Sequence, residues 1–131
     1  ERLKGLPIGY FGASTGAAAA LMAATKQDNI FGVVSRGGRP DLALDHLEKL
    51  TIPVLLIVGE NDRDVIILNE KAKKILNDCE MSIVQDATHL FEEPEALEKV
   101  AALASFWLED KVSDYESKND LAKPSKSIHV I

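Results

Sequence analysis

The sequence predicts an α/β fold built around an open parallel sheet. Along residues 1–110, four short apolar runs alternate with four longer segments of helical character. The apolar runs are continuous, which is typical of strands buried on both faces of a parallel sheet. The composition, 46% hydrophobic and 27% charged residues over 131 positions, suits one globular domain. The order βαβαβαβα therefore predicts four parallel strands joined by right-handed crossovers.

The four predicted strands are runs of apolar residues that end at small or polar residues. They span residues 6–11, 30–35, 54–58 and 81–84. The third is the clearest, because it begins directly after Pro53 and stops at Gly59. Since side chains at the carboxyl ends of parallel strands lie at one edge of the sheet, functional residues are expected just after these runs.

The predicted helices fill the intervals, at residues 15–25, 41–50, 65–77 and 94–108. The first is rich in alanine, which has the highest helix propensity, and the others repeat apolar residues at three- and four-residue steps. If each strand adds to the same edge, the first three helices lie on one face and only the last covers the other. We therefore expect this chain alone to leave an apolar face exposed. An N-terminal half, a fused domain or a second copy of the chain would cover that face.

The C-terminal segment 111–131 is polar and contains a Lys-Pro-Ser-Lys sequence that breaks any helix. We expect it to be a disordered tail or linker beyond a domain at residues 1–110. The net charge of −6 and the pI near 5.0 argue against nucleic-acid binding. No apolar run approaches the roughly 20 residues of a membrane span, and no signal peptide is recognisable. Cys79, the single cysteine, excludes an internal disulfide, so we expect a cytoplasmic protein.

The segment Gly12-Ala13-Ser14-Thr15-Gly16 matches the pattern G-x-S-x-G. It lies between a predicted strand and a predicted helix, as a nucleophile elbow requires. In such an elbow the serine has a strained backbone and its neighbours are small. The Thr15 N–H would then point to where an oxyanion forms. The alternatives are a plain turn in which Ser14 caps the helix, or a phosphate loop, although no phosphate-loop motif is present.

Two further side chains complete a candidate constellation. A serine hydroxyl needs a histidine to take its proton, and the histidine needs a carboxylate to orient it. Asp62 follows the third strand and His89 follows the fourth. Asp64 is the alternative acid, although it could instead cap the following helix, and Glu60 is less favoured. Three such features in this order, each at a strand end, favour a Ser-His-Asp arrangement over coincidence.

Two arginines, Arg36 and Arg39, follow the second strand in the sequence Ser-Arg-Gly-Gly-Arg. They could hold a carboxylate or a phosphate of a substrate. Equally, they could stabilise a turn by pairing with Asp41 or Asp45. The chain has no His/Cys cluster with metal-ligand spacing, so we expect neither a metal nor another cofactor.

The sequence resembles the dienelactone-hydrolase-like branch of the α/β-hydrolases. The resemblance lies in Gly-Tyr-Phe-Gly-Ala-Ser-Thr-Gly at residues 9–16, Val-Val-Ser-Arg-Gly-Gly-Arg-Pro-Asp at 33–41, Leu-Leu-Ile-Val-Gly-Glu-Asn-Asp at 55–62 and Ala-Thr-His-Leu-Phe-Glu-Glu-Pro at 87–94. The chain order Ser14, Asp62, His89 is also that of the family. In particular, the sequence is similar to hydrolase-like domains fused behind a phosphoribosyltransferase domain.

This resemblance implies that Ser14 is the nucleophile, Asp62 the acid and His89 the base of a serine hydrolase. The substrate would be a small molecule with an ester or similar acyl group, cleaved through an acyl-enzyme. The family fold has eight strands, so residues 1–110 would be its C-terminal half, and a loop of the other half supplies the second oxyanion donor. The best-known dienelactone hydrolases use a cysteine nucleophile, so a dienelactone substrate is not implied. The alternatives are a non-catalytic binding domain and a phosphate- or carboxylate-binding module at residues 35–39.

Overall fold

The computed structural model describes residues 6–119 and 127–131, which form a five-stranded parallel sheet. The strands lie in the order β4-β3-β2-β1-β5, and every neighbouring pair is parallel. They are β1 (Ile8–Ala13), β2 (Ile30–Arg36), β3 (Val54–Gly59), β4 (Cys79–Val84) and β5 (Ser127–Val130). The predicted α/β class and parallel sheet are confirmed, but the sheet has five strands rather than four.

The helices cover both faces of this sheet. They are α1 (Thr15–Ala24), α2 (Leu44–Leu47, preceded by a 3₁₀ turn at Pro40–Ala43), α3 (Arg63–Ile75) and α4 (Ala96–Lys118). The first three pack on one face and α4 packs on the other, which confirms the predicted distribution. Within the described ranges, no helix combines the length and the apolar character needed to cross a membrane.

The sheet separates two apolar cores. On β2, Val33 faces the core beneath α1 to α3, and the next residue, Val34, faces the core beneath α4. The strand β3 is buried along its whole length. Successive side chains of a strand point to opposite faces, so a strand covered on both sides must be apolar at every position. This is why the sequence shows continuous apolar runs instead of alternation.

Helix α4 continues to Lys118, beyond the end predicted near residue 108. The prediction of a disordered segment is therefore wrong for residues 111–118. Val112 is buried and Tyr115 packs against the same core, at the spacing of one helix face. Lys111 lies 3.6 Å from the Glu80 carboxylate of β4. The polar residues of this segment form the outer face of a helix, which is compatible with a high polar content.

The strand β5 is a second correction to the predicted tail. Residues Ser127–Val130 pair with β1 in parallel, and the N–H of Ile131 donates to the carbonyl of Phe11 at 2.7 Å. The free edge of β1 offers unpaired N–H and C=O groups, which any extended segment can satisfy. A short edge strand needs little apolar content, so the composition of the segment gave no signal. Residues 120–126 lie outside the described residues.

Apolar side chains remain exposed on the side of the sheet covered only by α4. Phe106 is 82% exposed, and Ile83 and Leu103 are exposed beside it. A groove of about 430 Å³ lies between α4 and the strands β1 and β5, with Phe11, Leu97 and Val130 in its lining. This is the face that was predicted to be thinly covered. The covering of this face by an N-terminal half, a fused domain or a second copy of the chain stays a prediction.

Candidate active site

The turn between β1 and α1 holds Ser14 in a strained backbone conformation, with φ 51° and ψ −123°. Its N–H donates to the carbonyl of Arg36 at 3.1 Å, and its carbonyl accepts the N–H of Ala17 at 3.1 Å. A side chain at Gly12 would begin 2.6 Å from the carbonyl oxygen of Gly16. The turn is therefore so tight that the residue two positions before Ser14 must be glycine, as predicted for an elbow.

Ser14, His89 and Asp62 form a continuous line of hydrogen bonds. The distance from Ser14 Oγ to His89 Nε2 is 3.0 Å, and that from His89 Nδ1 to Asp62 Oδ2 is 2.7 Å. An ionised carboxylate can only accept, so Nδ1 carries the proton and donates to Asp62. In the neutral imidazole, Nε2 then accepts the hydroxyl proton of Ser14. The side chains of His89 and Asp62 are 39% and 14% exposed.

The three acidic residues near the end of β3 occupy different environments. Asp62 lies directly before α3 and contacts His89. Asp64 lies in the first turn of α3 and is exposed. The carboxylate of Glu60 instead accepts the backbone N–H of Asp86 at 2.9 Å. Of the acids considered from the sequence, the structure brings Asp62 to the histidine.

The loop that carries Asp62 is joined to the loop that carries His89 by backbone hydrogen bonds as well as by side chains. The N–H of Asn61 donates to the carbonyl of Ala87 at 2.9 Å. A side chain at Gly59 would begin 2.4 Å from that same carbonyl oxygen, so the close approach requires glycine. In the sequence, Gly59 is recognisable only as the end of a predicted strand. Its contact with the histidine loop depends on the pairing of β3 with β4.

Glu93 fixes the residue before the histidine. Its carboxylate accepts the backbone N–H of Thr88 at 3.0 Å and the Thr88 hydroxyl at 2.5 Å. These hydrogen bonds, the hydroxyl bond first, hold the pKa of Glu93 below its ordinary value of 4.5. No pattern in the sequence predicts this role, because a Thr and a Glu five residues apart match no general motif outside a turn of known shape.

Several known proteins are similar to this chain. A Mycobacterium tuberculosis protein named "Putative phosphoribosyl transferase" is 55% identical over 107 residues, which cover 80% of this chain and 24% of that protein. A dienelactone hydrolase from Anabaena variabilis is 50% identical, with a TM-score of 0.80 over 82% of this chain and 51% of the hydrolase. The chain has part of the α/β-hydrolase fold.

The α/β-hydrolase fold is also shared with a more distant structure. Est1E from Butyrivibrio proteoclasticus is 18% identical, with a TM-score of 0.68 over 82% of this chain and 64% of Est1E. No protein family model matches the chain. The chain spans about half the length of the dienelactone hydrolase and about a quarter of the mycobacterial relative. The expected resemblance to dienelactone hydrolases and to a protein with a phosphoribosyltransferase name is thus confirmed.

Arg36, the last residue of β2, and Arg39, which follows that strand, have separate environments in this α/β-hydrolase fold. Arg39 donates two hydrogen bonds to Asp41, at 2.9 and 2.8 Å, and they lower the pKa of that carboxyl. This is the turn-stabilising alternative considered from the sequence. The guanidinium of Arg36 lies 5.3 Å from the ring centre of Phe91 and lines the groove beside α4. Substrate binding by Arg36 stays a prediction, whereas Arg39 is already paired.

Thr15 is the first residue of α1 and is exposed beside the elbow. The first N–H groups of a helix have no partner within the helix, so they can receive a negative charge. The backbone of Ile131 lies close to this first turn of α1, because a side chain at Gly16 would begin 2.8 Å from the carbonyl oxygen of Ile131.

In residues 6–119 and 127–131, no group of three or more His, Cys, Asp or Glu side chains could hold a metal ion.

Proposed function

We propose that this chain acts as a serine hydrolase on an ester or a similar acyl substrate. The observation that carries the proposal is the line of hydrogen bonds from Ser14 through His89 to Asp62. The strained backbone of Ser14 supports it independently, because a simple helix cap does not require a positive φ. Neither observation is expected of a domain that uses this fold only for binding.

In the proposed reaction, Ser14 Oγ attacks the acyl carbon while its proton moves to His89 Nε2. The imidazolium that forms is stabilised by the Asp62 carboxylate. When the tetrahedral intermediate collapses, the bond to the leaving oxygen breaks and His89 returns the proton to that oxygen. A water molecule then loses a proton to His89, attacks the acyl-enzyme and releases the acid, and Ser14 regains its proton.

The Thr15 N–H is the proposed oxyanion donor. It lies at the positive end of the α1 dipole, directly after the nucleophile, where charge develops on the carbonyl oxygen. By resemblance to the family, a loop from the earlier half of the fold would supply a second donor. The proposed chemistry uses side chains and backbone N–H groups, and it requires neither a metal nor an organic cofactor.

The proposed reaction rests on the site and not on the names of similar proteins. The name of the mycobacterial relative belongs to a protein of which the match covers 24%. The dienelactone hydrolase supports hydrolysis as a class through its 50% identity. We propose that the apolar groove beside α4 is covered by another part of a longer protein, by a fused domain or by a second copy, and that the substrate is a small molecule.

The test compares probe labelling and ester hydrolysis by the unmodified protein with those of its Ser14→Ala variant. The expected result is that a fluorophosphonate probe labels the protein and that p-nitrophenyl esters are hydrolysed, both only while Ser14 is present. Ser35→Ala is the matched control, because Ser35 is a buried serine on the neighbouring strand, and its hydroxyl has no hydrogen-bond partner among the described residues. A folded protein that neither labels nor hydrolyses any ester of the series would favour a non-catalytic binding domain.

A further inference from the structure

Asn69 is a buried amide in α3 that the proposed chemistry does not use. Its side chain is 0% exposed. The amide nitrogen Nδ2 donates to the carbonyl of Val65, one turn earlier, at 2.7 Å, and to the carbonyl of Gly38 at 3.1 Å. Both partners are acceptors, so the orientation of the amide is fixed by the contacts themselves.

Burying this amide is costly for the packing of α3. A buried polar group costs free energy unless it is fully hydrogen-bonded. Among the described residues, the oxygen Oδ1 of Asn69 is buried without a hydrogen-bond partner. One turn further along the same face, Ala72 packs against the core with no polar group. Packing alone would therefore be served better by an apolar residue, and the contact with Gly38 is what distinguishes the asparagine.

Gly38 belongs to the segment that holds the backbone of the nucleophile. The carbonyl of Arg36 accepts the N–H of Ser14 at 3.1 Å, and the N–H of Arg39 donates to the carbonyl of Ser14 at 3.2 Å. Both polar backbone groups of Ser14 are thus bonded to residues that flank Gly38. Asn69 reaches this segment from α3, the helix that begins directly after Asp62.

We infer that Asn69 is a positioning residue that fixes Ser14 relative to Asp62. This inference rests on the proposed hydrolase function. The amide connects the helix that follows the acid to the segment that holds the elbow, and the imidazole of His89 must span these two elements with contacts of 3.0 and 2.7 Å. A small shift of the segment would lengthen the bond between Ser14 and His89. Misplacement of reacting groups lowers the rate of the chemical step more than the binding of substrate.

Two variants of Asn69 separate the contact with Gly38 from the fold. In Asn69→Ser, the hydroxyl can still donate to the carbonyl of Val65 four residues earlier, but it is too short to reach Gly38. Asn69→Ala removes both contacts. The matched control is Asn77→Ala, because Asn77 also donates to two backbone carbonyls, those of Glu48 and Leu50, but lies beyond the far end of α3.

The experiment measures kcat, KM and the rate constant for fluorophosphonate labelling, well below the unfolding midpoint of each variant. Both Asn69 variants are expected to lose about tenfold to a hundredfold in kcat and in labelling, with little change in KM. Leu47→Ala provides a second control, because it removes a fully buried side chain of α2 and lowers the unfolding midpoint. Asn69 is only structural if Asn69→Ser keeps the kcat of the unmodified protein. The same conclusion follows if Leu47→Ala, at an equal loss of stability, loses as much kcat as the Asn69 variants.

A second readout separates this inference from the proposed function. The Arg39 amide donates to the carbonyl of Ser14, so its hydrogen exchange reports on the segment directly. If the unmodified protein does not react with any ester or probe, the proposed function fails. Faster Arg39 exchange in Asn69→Ser but not in Asn77→Ala would then still support the positioning contact. Unchanged exchange in both would overturn it.

Discussion

Replacing Asp62 with asparagine tests the proposed role of the carboxylate beside His89. The carboxylate accepts the proton of Nδ1 at 2.7 Å and so leaves Nε2 free to accept the proton of Ser14. An amide is neutral and can present its N–H₂ group to the imidazole. In that orientation Nδ1 becomes an acceptor, Nε2 carries the proton, and the imidazole can no longer act as a base towards Ser14.

The expected loss follows from the charge and the exposure of the pair. During the reaction the imidazolium and the carboxylate attract each other, and since His89 is 39% and Asp62 14% exposed, the site is neither dry nor fully solvated. Two unit charges about 4 Å apart in such surroundings interact by about 4 kcal/mol, which corresponds to about a thousandfold in rate. The wrong tautomer adds to this loss, and we expect kcat to fall by about 10³- to 10⁴-fold.

The assay is hydrolysis of p-nitrophenyl acetate together with fluorophosphonate labelling. Asp64→Asn is the matched control, because it removes the same charge two residues later at an exposed position of α3. We expect the control to stay within about threefold of the unmodified protein, since exposed charges contribute little. Retained activity in Asp62→Asn, or a larger loss in Asp64→Asn, would refute the assignment of the acid.

Three further predictions concern the surroundings of the site and the lone cysteine. Gly59→Ala should destabilise the protein by about 1–3 kcal/mol in urea unfolding, because the new methyl group would collide with the carbonyl of Ala87; an unchanged midpoint would contradict this. Because the hydrogen bonds from Thr88 lower the pKa of Glu93 in the folded protein, the ionised Glu93 stabilises the fold above about pH 4.5. This stabilisation is lost as the pH falls through the pKa of Glu93 in the folded protein. The Thr88 amide resonance should therefore shift on acidification below pH 4.5 but not in Glu93→Gln. Burial raises the pKa of Cys79 to about 11, so roughly one thiol in a thousand is ionised at pH 8; its alkylation should be slow there and accelerate towards pH 11.

The three residues of the hydrogen-bonded line could be predicted because each carries a local signal. Ser14 lies in a five-residue pattern between an apolar run and an alanine-rich run, and Asp62 and His89 each follow an apolar run. In a parallel sheet all these positions lie at the same edge, so the order of the runs was enough to bring the three together. Asp62 was favoured over Asp64 from the sequence, although both follow β3, and in the structure Asp62 contacts His89 whereas Asp64 lies in the first turn of α3.

The residues that hold this line in place had no such signal. The contact of Asn69 with Gly38 joins positions 31 residues apart, and nothing local distinguishes Asn69 from an exposed helical asparagine. The extension of α4 to Lys118 was missed for a related reason. The polar composition of residues 111–118 predicts disorder, although Val112 and Tyr115 recur at helical spacing. The average composition of a segment hides the few apolar residues that a helix places on one buried face.

The order of the strands explains why the histidine loop needs an unusual backbone. His89 follows β4, and the strand order separates β4 from the elbow strand β1 by β3 and β2. Three strand spacings amount to about 14 Å, which is farther than an imidazole can reach. The loop must therefore fold back over the ends of β3 and β2, and it has positive φ at Asp86 and again at Phe91. The segment that Asn69 holds lies against His89 at the end of β2, because a side chain at Gly37 would begin 3.3 Å from the carbonyl oxygen of His89 and 3.5 Å from its Cε1. The position of the imidazole therefore depends on the backbone of this segment.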